Sequence, residues 1–248
     1  MLMLRADQIQ ELKAQFRITD ESPWGDLASF QSVQALFDPQ ICRTYLEKIS
    51  EKFQTTSLVV VASQFAKRYS YLLVVPTLYA MSVYHKGLPV HPNNCYIQSY
   101  DEGQLWLPRL ALADWQVDQP IENRARWREQ LLRKLFAGNV AKVWAALQQS
   151  TGIQPAILWE NTTIYIQWIY QQFIQHRAES QVAEDDLHFL LHQASPELFG
   201  APFQPLQKFA SAGNRKTCCL YYLTNPEQSL CKGCPRQRIR KRRSMVLT

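Results

Sequence analysis

Glycine is scarce in this chain, with 8 in 248 residues, and none falls in a G-x-G-x-x-G or G-x-x-x-x-G-K-[ST] run. Without such a loop the backbone has no means of wrapping a nucleotide phosphate at a helix start, which argues against nucleotide folds of that kind. H-E-x-x-H and G-x-S-x-G are also absent, removing the zinc-protease and serine-hydrolase signatures. No internal repeat is visible. Long uninterrupted apolar runs are missing too. From Ser57 to His85 the chain is apolar, but Lys67 and Arg68 break it and leave sixteen uncharged residues, Tyr69 to Tyr84, short of the roughly 20 needed to span a bilayer. That stretch reads as a long buried helix kinked at Pro76. Residues 1–4 are too short to be a signal or anchor, so the cysteines are expected as reduced thiols of a cytoplasmic protein rather than as disulfides.

What is present suffices for one substantial core, since 46% of the residues are hydrophobic. The net charge of +6 belongs to one end. Arg236, Arg238, Arg240, Lys241, Arg242 and Arg243 carry six positive charges with no acid beside them, and the 27 basic residues less these six equal the 21 acidic ones. A block of this kind is ordinarily a solvated tail. It could also draw an acidic donor, an anionic chelate or the anionic inner face of the membrane, whereas nucleic acid is not the partner expected.

The periodicity predicts a predominantly helical α+β domain with a small β-hairpin. Asp7 opens a helix with Ile9, Leu12 and Phe16 on one face, Ile18 to Gly25 is a polar connection, and residues 26–37 read as a helix with Leu27, Phe30, Val33 and Phe37 inward. Asp38-Pro39 is a capping acid followed by proline at the first helical position. Cys95 to Tyr100 and Gln104 to Leu110, flanking Asp101-Glu102-Gly103, read as the hairpin. Helical spacing returns near Ile121, stops at Gly152 and restarts at Pro155, where residues 155–176 are apolar on nearly every side, as a covered central helix would be. Ser180 opens a helix through Gln193, and residues 200–214 are linker. The expected organisation is an N-terminal helical segment over 1–56, a core over 57–199, a cysteine segment over 200–235 and a basic tail over 236–248.

Four of the 6 cysteines, Cys218, Cys219, Cys231 and Cys234, fall within seventeen residues as C-C, eleven residues, then C-x-x-C before Pro235. A C-x-x-C turn aims two sulfurs at one metal, and Gly233 lets it bend tightly. Adjacent cysteines diverge on a strand, so Cys218 and Cys219 can serve one cofactor only from a distorted segment or by binding different atoms of a cluster. A two-iron cluster offers two such atoms. A structural zinc would use the same thiols, and spacing alone does not separate the two. Cys42 and Cys95 read as small buried hydrophobes. His188 and His192, four apart on a helix, read as a solvated pair, and Glu184, Asp185 and Asp186 as charges offsetting a helix dipole. Arg68 and Arg215 are candidates to meet an anionic substrate.

Arg215-Lys216-Thr217-Cys218-Cys219-Leu220-Tyr221-Tyr222 with Cys231-x-x-Cys234-Pro235 resembles the C-terminal signature of FhuF-like ferric siderophore reductases, one residue longer between the pairs. Ser63 to Tyr69 through Leu78 to Ser82, and Ile157-Leu158-Trp159-Glu160-Asn161, are similar to further elements of that family. The resemblance implies a 2Fe-2S cluster on Cys218, Cys219, Cys231 and Cys234 and one-electron reduction of siderophore-bound Fe(III), with iron released in the cytoplasm. No flavin or nicotinamide motif is visible, so an external donor such as a ferredoxin or an NAD(P)H-dependent reductase is implied. The alternatives are a zinc-stabilised interaction or nucleic-acid-binding protein, and a related siderophore-biosynthesis ligase domain, for which ATP-binding features are lacking.

Overall fold

The structure, a computed structural model, describes residues 2–24, 27–211, 215–224, 227, 229–231 and 233–237. Its axis is α3, Leu58–Tyr84, 27 residues long. By length and composition that helix could cross a membrane, yet most of it is covered by other helices. Two wider π turns, Ser70–Val74 and Ala80–Tyr84, interrupt it. The first ends just before Pro76, where the ring and the missing N–H disturb the regular ladder. Around α3 pack α2 (Pro39–Ser50), α4 (124–151) and α5 (155–177), the last two each broken by one π turn. Helix α6 (180–193) and α1 (Ala6–Phe16) close the bundle.

The start of α2 forms as the sequence implies. The Asp38 carboxylate accepts from the Gln40 and Ile41 N–H groups at 2.8 and 3.0 Å, Pro39 occupies the first turn, and Cys42, Tyr45, Leu46 and Ile49 are buried. In α1 the cap is Arg5, and Asp7 lies inside the first turn, paired with Arg5 at 2.9 Å. The apolar helix α5 runs straight through Thr162 and Thr163, whose hydroxyls donate to the carbonyls one turn back, of Leu158 and Trp159, at 3.0 and 2.8 Å. Buried polar contacts fix the helix registers. Ser70 meets Thr162 at 3.1 Å between α3 and α5, and Tyr69 donates to Asn139 in the π turn of α4. Asn139 in turn donates to the Val90 carbonyl at 2.9 Å.

The sheet is larger than a hairpin. Strands β3 (Cys95–Gln98) and β6 (Arg109–Leu112) pair antiparallel, with Cys95 opposite Leu112 and Gln98 opposite Arg109. A two-residue loop at Gly103, with φ of +58°, joins β4 (Asp101–Glu102) to β5 (Leu105–Trp106) at the tip. Strand β1 (Ile18–Thr19) adds parallel to β6, and β2 (Phe30–Ser32) adds antiparallel to β3, giving the order β1-β6-β3-β2. Two expectations are corrected here. Residues 26–37 are not a helix: turns at Leu27–Ser29 and Ala35–Phe37 flank β2, and the open edge of β3 supplies hydrogen bonds that local helical spacing does not reveal. The connection after α1 likewise contains β1.

One hydrophobic core runs through the molecule, joining Leu12 and Leu46 with Leu73, Ile97, Leu147 and Phe199. Cys42 and Cys95 are buried in it as apolar groups, and burial raises their thiols, Cys42 to about 11. Asp186 corrects the reading of residues 184–186 as charges that offset a helix dipole. Its carboxylate is fully buried, with Arg124 at 2.6 Å, Arg128 at 2.9 Å and the Ser82 hydroxyl at 2.8 Å. Burial pushes its pKa up, but the two guanidiniums and the hydroxyl outweigh that and hold it below the usual carboxylate value. Residues 200–211 are docked by buried Leu206 and Phe209.

Candidate metal centre

After Thr217 the chain turns along α3, and the turn Tyr221–Thr224 packs on that helix. The backbone is distorted where the adjacent cysteines require it, with Leu220 at φ of +61°, a region bulky side chains rarely adopt. Gly233, at φ of +77°, makes the corresponding bend in the C-x-x-C turn, closed by a 3.0 Å hydrogen bond from the Cys234 N–H to the Cys231 carbonyl. Cys219 and Cys234 are buried, and Cys218 and Cys231 half-buried.

One sulfur pair joins the two motifs: Cys219 Sγ lies 3.6 Å from Cys231 Sγ. Two thiolates on one tetrahedral ion at metal–sulfur distances of roughly 2.3 Å sit about 3.8 Å apart, so the Cys219–Cys231 spacing already fits one edge of such a site. Among the described residues no three Cys, His, Asp or Glu groups converge on a single point.

Four buried polar residues on two helices seat this segment. The Cys219 carbonyl accepts from the Ser63 hydroxyl at 2.8 Å and from Gln64 Nε2 at 2.7 Å, both on α3. On α5 the Glu160 carboxylate, in a residue only 3% exposed, accepts from the Lys216 N–H at 2.5 Å, the Thr217 N–H at 2.8 Å and the Thr217 hydroxyl. Its neighbour Asn161 accepts from Arg215 Nη2 at 2.5 Å and donates to the Ser63 carbonyl at 3.3 Å. Arg215 also pairs with Glu160 at 3.6 Å, and its own N–H reaches the Gly233 carbonyl at 3.3 Å. Arg215 thus ties α5, through its guanidinium, to the C-x-x-C turn, through its backbone N–H. No supporting role for these four residues was visible in the sequence, although the signal was there: polar side chains in helices otherwise apolar all round.

Charge completes the site. A hydrogen bond from Cys231 holds the Cys219 thiol well below the ordinary thiol range against the opposing effect of burial, and Lys67 and Arg215 reinforce it, while Cys231 is raised by the same pairing. Lys67 itself is lowered, chiefly by burial.

Of the two arginines singled out as substrate candidates, Arg215 stands within the cysteine site and Arg68 does not. Arg68 donates to the Trp106 and Gln64 carbonyls at 2.9 and 3.2 Å and lies over the Phe53 ring, with burial bringing it down to about 10. His188 and His192 are exposed, ring centres 5.2 Å apart, away from the cysteines. Arg236 stacks on Tyr222 at 4.4 Å, and residues 238–248, the rest of the basic tail, lie outside the described residues. A cavity of about 540 Å³ opens beside the cysteines, lined by Lys67, Asn161, Tyr165, Trp168, Arg215 and Cys231 among others. A second cleft, about 400 Å³ near β1, is lined by both signs of charge and contains no cysteine.

A family model described as ferric iron reductase FhuF-like transporter matches residues 63–230, reaching Cys218 and Cys219 and stopping just before Cys231. Two structures of aerobactin synthetase IucA from a hypervirulent pathotype of Klebsiella pneumoniae, one of them ATP-bound, share the fold. Their TM-scores are 0.58 and 0.57 at 16% identity, over 82% and 81% of this chain and 46% and 47% of the synthetase. The chain therefore spans under half the length of that enzyme, and the likeness is one of fold. Among curated proteins none matches in sequence.

Proposed function

Because the chain belongs to the FhuF-like ferric iron reductase family, we propose that it reduces siderophore-bound Fe(III) to Fe(II) by one electron. In this reading Cys218, Cys219, Cys231 and Cys234 would hold a 2Fe-2S cluster, which would supply the electron. Such a cluster supplies one electron at a time, which matches the stoichiometry of the change at iron. Fe(III) is a hard ion held by the oxygen ligands of its chelate, and the softer Fe(II) is held less tightly, so reduction releases it. The electron comes from an external donor of the ferredoxin or NAD(P)H-dependent reductase class. The reaction is read as cytoplasmic, with the positive charge of residues 236–248 as an attraction toward the anionic inner membrane face.

The observation that carries the reading is the approach of the two motifs, with Cys219 Sγ 3.6 Å from Cys231 Sγ. Two iron atoms, each needing two protein sulfurs, would use all four thiols, as a single tetrahedral zinc would, and metal analysis separates the two. The chain's own groups do the rest. Lys67 and Arg215 favour the thiolate form needed for ligation, and Glu160, Asn161, Ser63 and Gln64 hold the backbone that presents the sulfurs.

Protein purified under nitrogen should be reddish-brown, bleach with dithionite, and contain iron and acid-labile sulfide in equal amounts. Serine at Cys218, Cys219, Cys231 or Cys234 should abolish both the colour and the reduction of ferric chelates. Colourless protein containing zinc and neither iron nor sulfide would reject the reading.

A further inference from the structure

The cavity beside Cys231 has a composition that the fold does not require. Lys67 and Arg215 face it, and among the described residues no aspartate or glutamate lines it. Their two charges are not equivalent. Arg215 is 3.6 Å from Glu160 and bound to Asn161, so its charge is largely answered, and it is committed to holding the cysteine segment. Lys67 makes no ion pair among the described residues, and its ammonium lies 5.3 Å from the centre of the Tyr221 ring. The Cys219 and Cys231 sulfurs answer part of its charge, and an anion entering the cavity would meet the remainder. Tyr165 and Trp168, on the same face of α5, supply flat apolar walls, and Cys231 and Gly233 form the end nearest the sulfurs. At about 540 Å³ the space is that of a small-molecule site.

Resting on the reductase reading, we propose that this cavity seats the ferric chelate, that the chelate taken is one of net negative charge, and that Lys67 selects it. The chelate then lies against the C-x-x-C turn, beside Cys231. Arg215 positions the segment, and Lys67 reads the charge of the substrate.

Gallium(III) complexes test this, because gallium(III) is not reduced and binding is measured without turnover. The anaerobically purified protein is titrated with gallium(III) tris-catecholate, an anion, and with gallium(III) tris-hydroxamate, which is neutral, by calorimetry. The visible spectrum of each variant is recorded alongside. The tris-catecholate should bind more tightly to the wild type. Lys67→Met should weaken it about tenfold, the effect of one partly screened charge, while leaving the neutral complex unchanged. Lys67→Arg should restore it. Ile164 also lines the cavity from α5, and Ile164→Trp, which fills that space, should weaken both complexes. Equal loss of both complexes in Lys67→Met, no loss at all, or wild-type binding in Ile164→Trp overturns the proposal. Binding of the gallium complexes does not depend on whether the protein passes electrons, which colour and ferric reduction decide separately.

Discussion

Replacing Glu160 by glutamine changes one oxygen to an amide and should undock the cysteine segment while leaving the helical body folded. The carboxylate receives two backbone N–H groups, at 2.5 Å from Lys216 and 2.8 Å from Thr217, and faces Arg215 at 3.6 Å. Glutamine offers one acceptor oxygen, so either Lys216 or Thr217 is left pointing its N–H at an NH₂ group, and Arg215 loses its counter-charge. Removing one partner of a buried ionic network costs about 3–5 kcal/mol. The lower end applies here, since Asn161 keeps its 2.5 Å bond to Arg215. About 3 kcal/mol corresponds to roughly a hundredfold increase in the open population of the segment. Amide hydrogen exchange reads this directly: peptides covering 215–219 should lose about two orders of magnitude of protection, with α2 and α4 unaffected. Iron and sulfide content should fall in parallel. Unchanged protection at Lys216 and Thr217 would refute the assignment of Glu160 as the seat of the segment.

Three further outcomes follow from the same contacts. Asp186 has a folded pKa below its unfolded one, so its stabilisation is present above the unfolded value near 4 and disappears as pH falls through the folded value. Urea midpoints should therefore drop below about pH 4, and Asp186→Asn, which leaves Arg124 and Arg128 unanswered, should cost about 3–5 kcal/mol at neutral pH. Leu73→Ala in the fully buried centre of α3 should cost about 2–5 kcal/mol in urea denaturation, whereas Asp38→Ala, which removes only a helix cap, should cost about 1 kcal/mol. Cys42→Ser should lower stability yet keep the visible absorption, whereas Cys234→Ser should lose the absorption; absorption lost from both would remove the distinction between core and ligand cysteines.

The capping of α2 at Asp38-Pro39, the hairpin around Gly103 and the continuous helix through Leu58–Tyr84 were all legible in the chain, because each depends on residues within a few positions of one another. The reading of 26–37 failed for the complementary reason. Leu27, Phe30, Val33 and Phe37 satisfy a helical spacing, but Phe30, Gln31 and Ser32 find backbone partners in Gln98, Ile97 and Tyr96, and a strand edge so distant leaves no trace in local periodicity. Asp186 misled in the same way, since nothing near it in sequence announces Arg124 or Arg128.

By itself, then, the sequence determined a helical α+β chain, the family to which it belongs and which four thiols stand together, since the spacing of cysteines along a short segment is a local property. Only the tertiary structure decided which of those thiols approach one another, which side chains hold them and where a cavity opens beside them. Ser63 meets Cys219 across 156 positions and Glu160 meets Thr217 across 57. Contacts at such range come from packing α3 against α5, and it is that packing that turns two polar pairs in apolar helices into a seat for the cysteines.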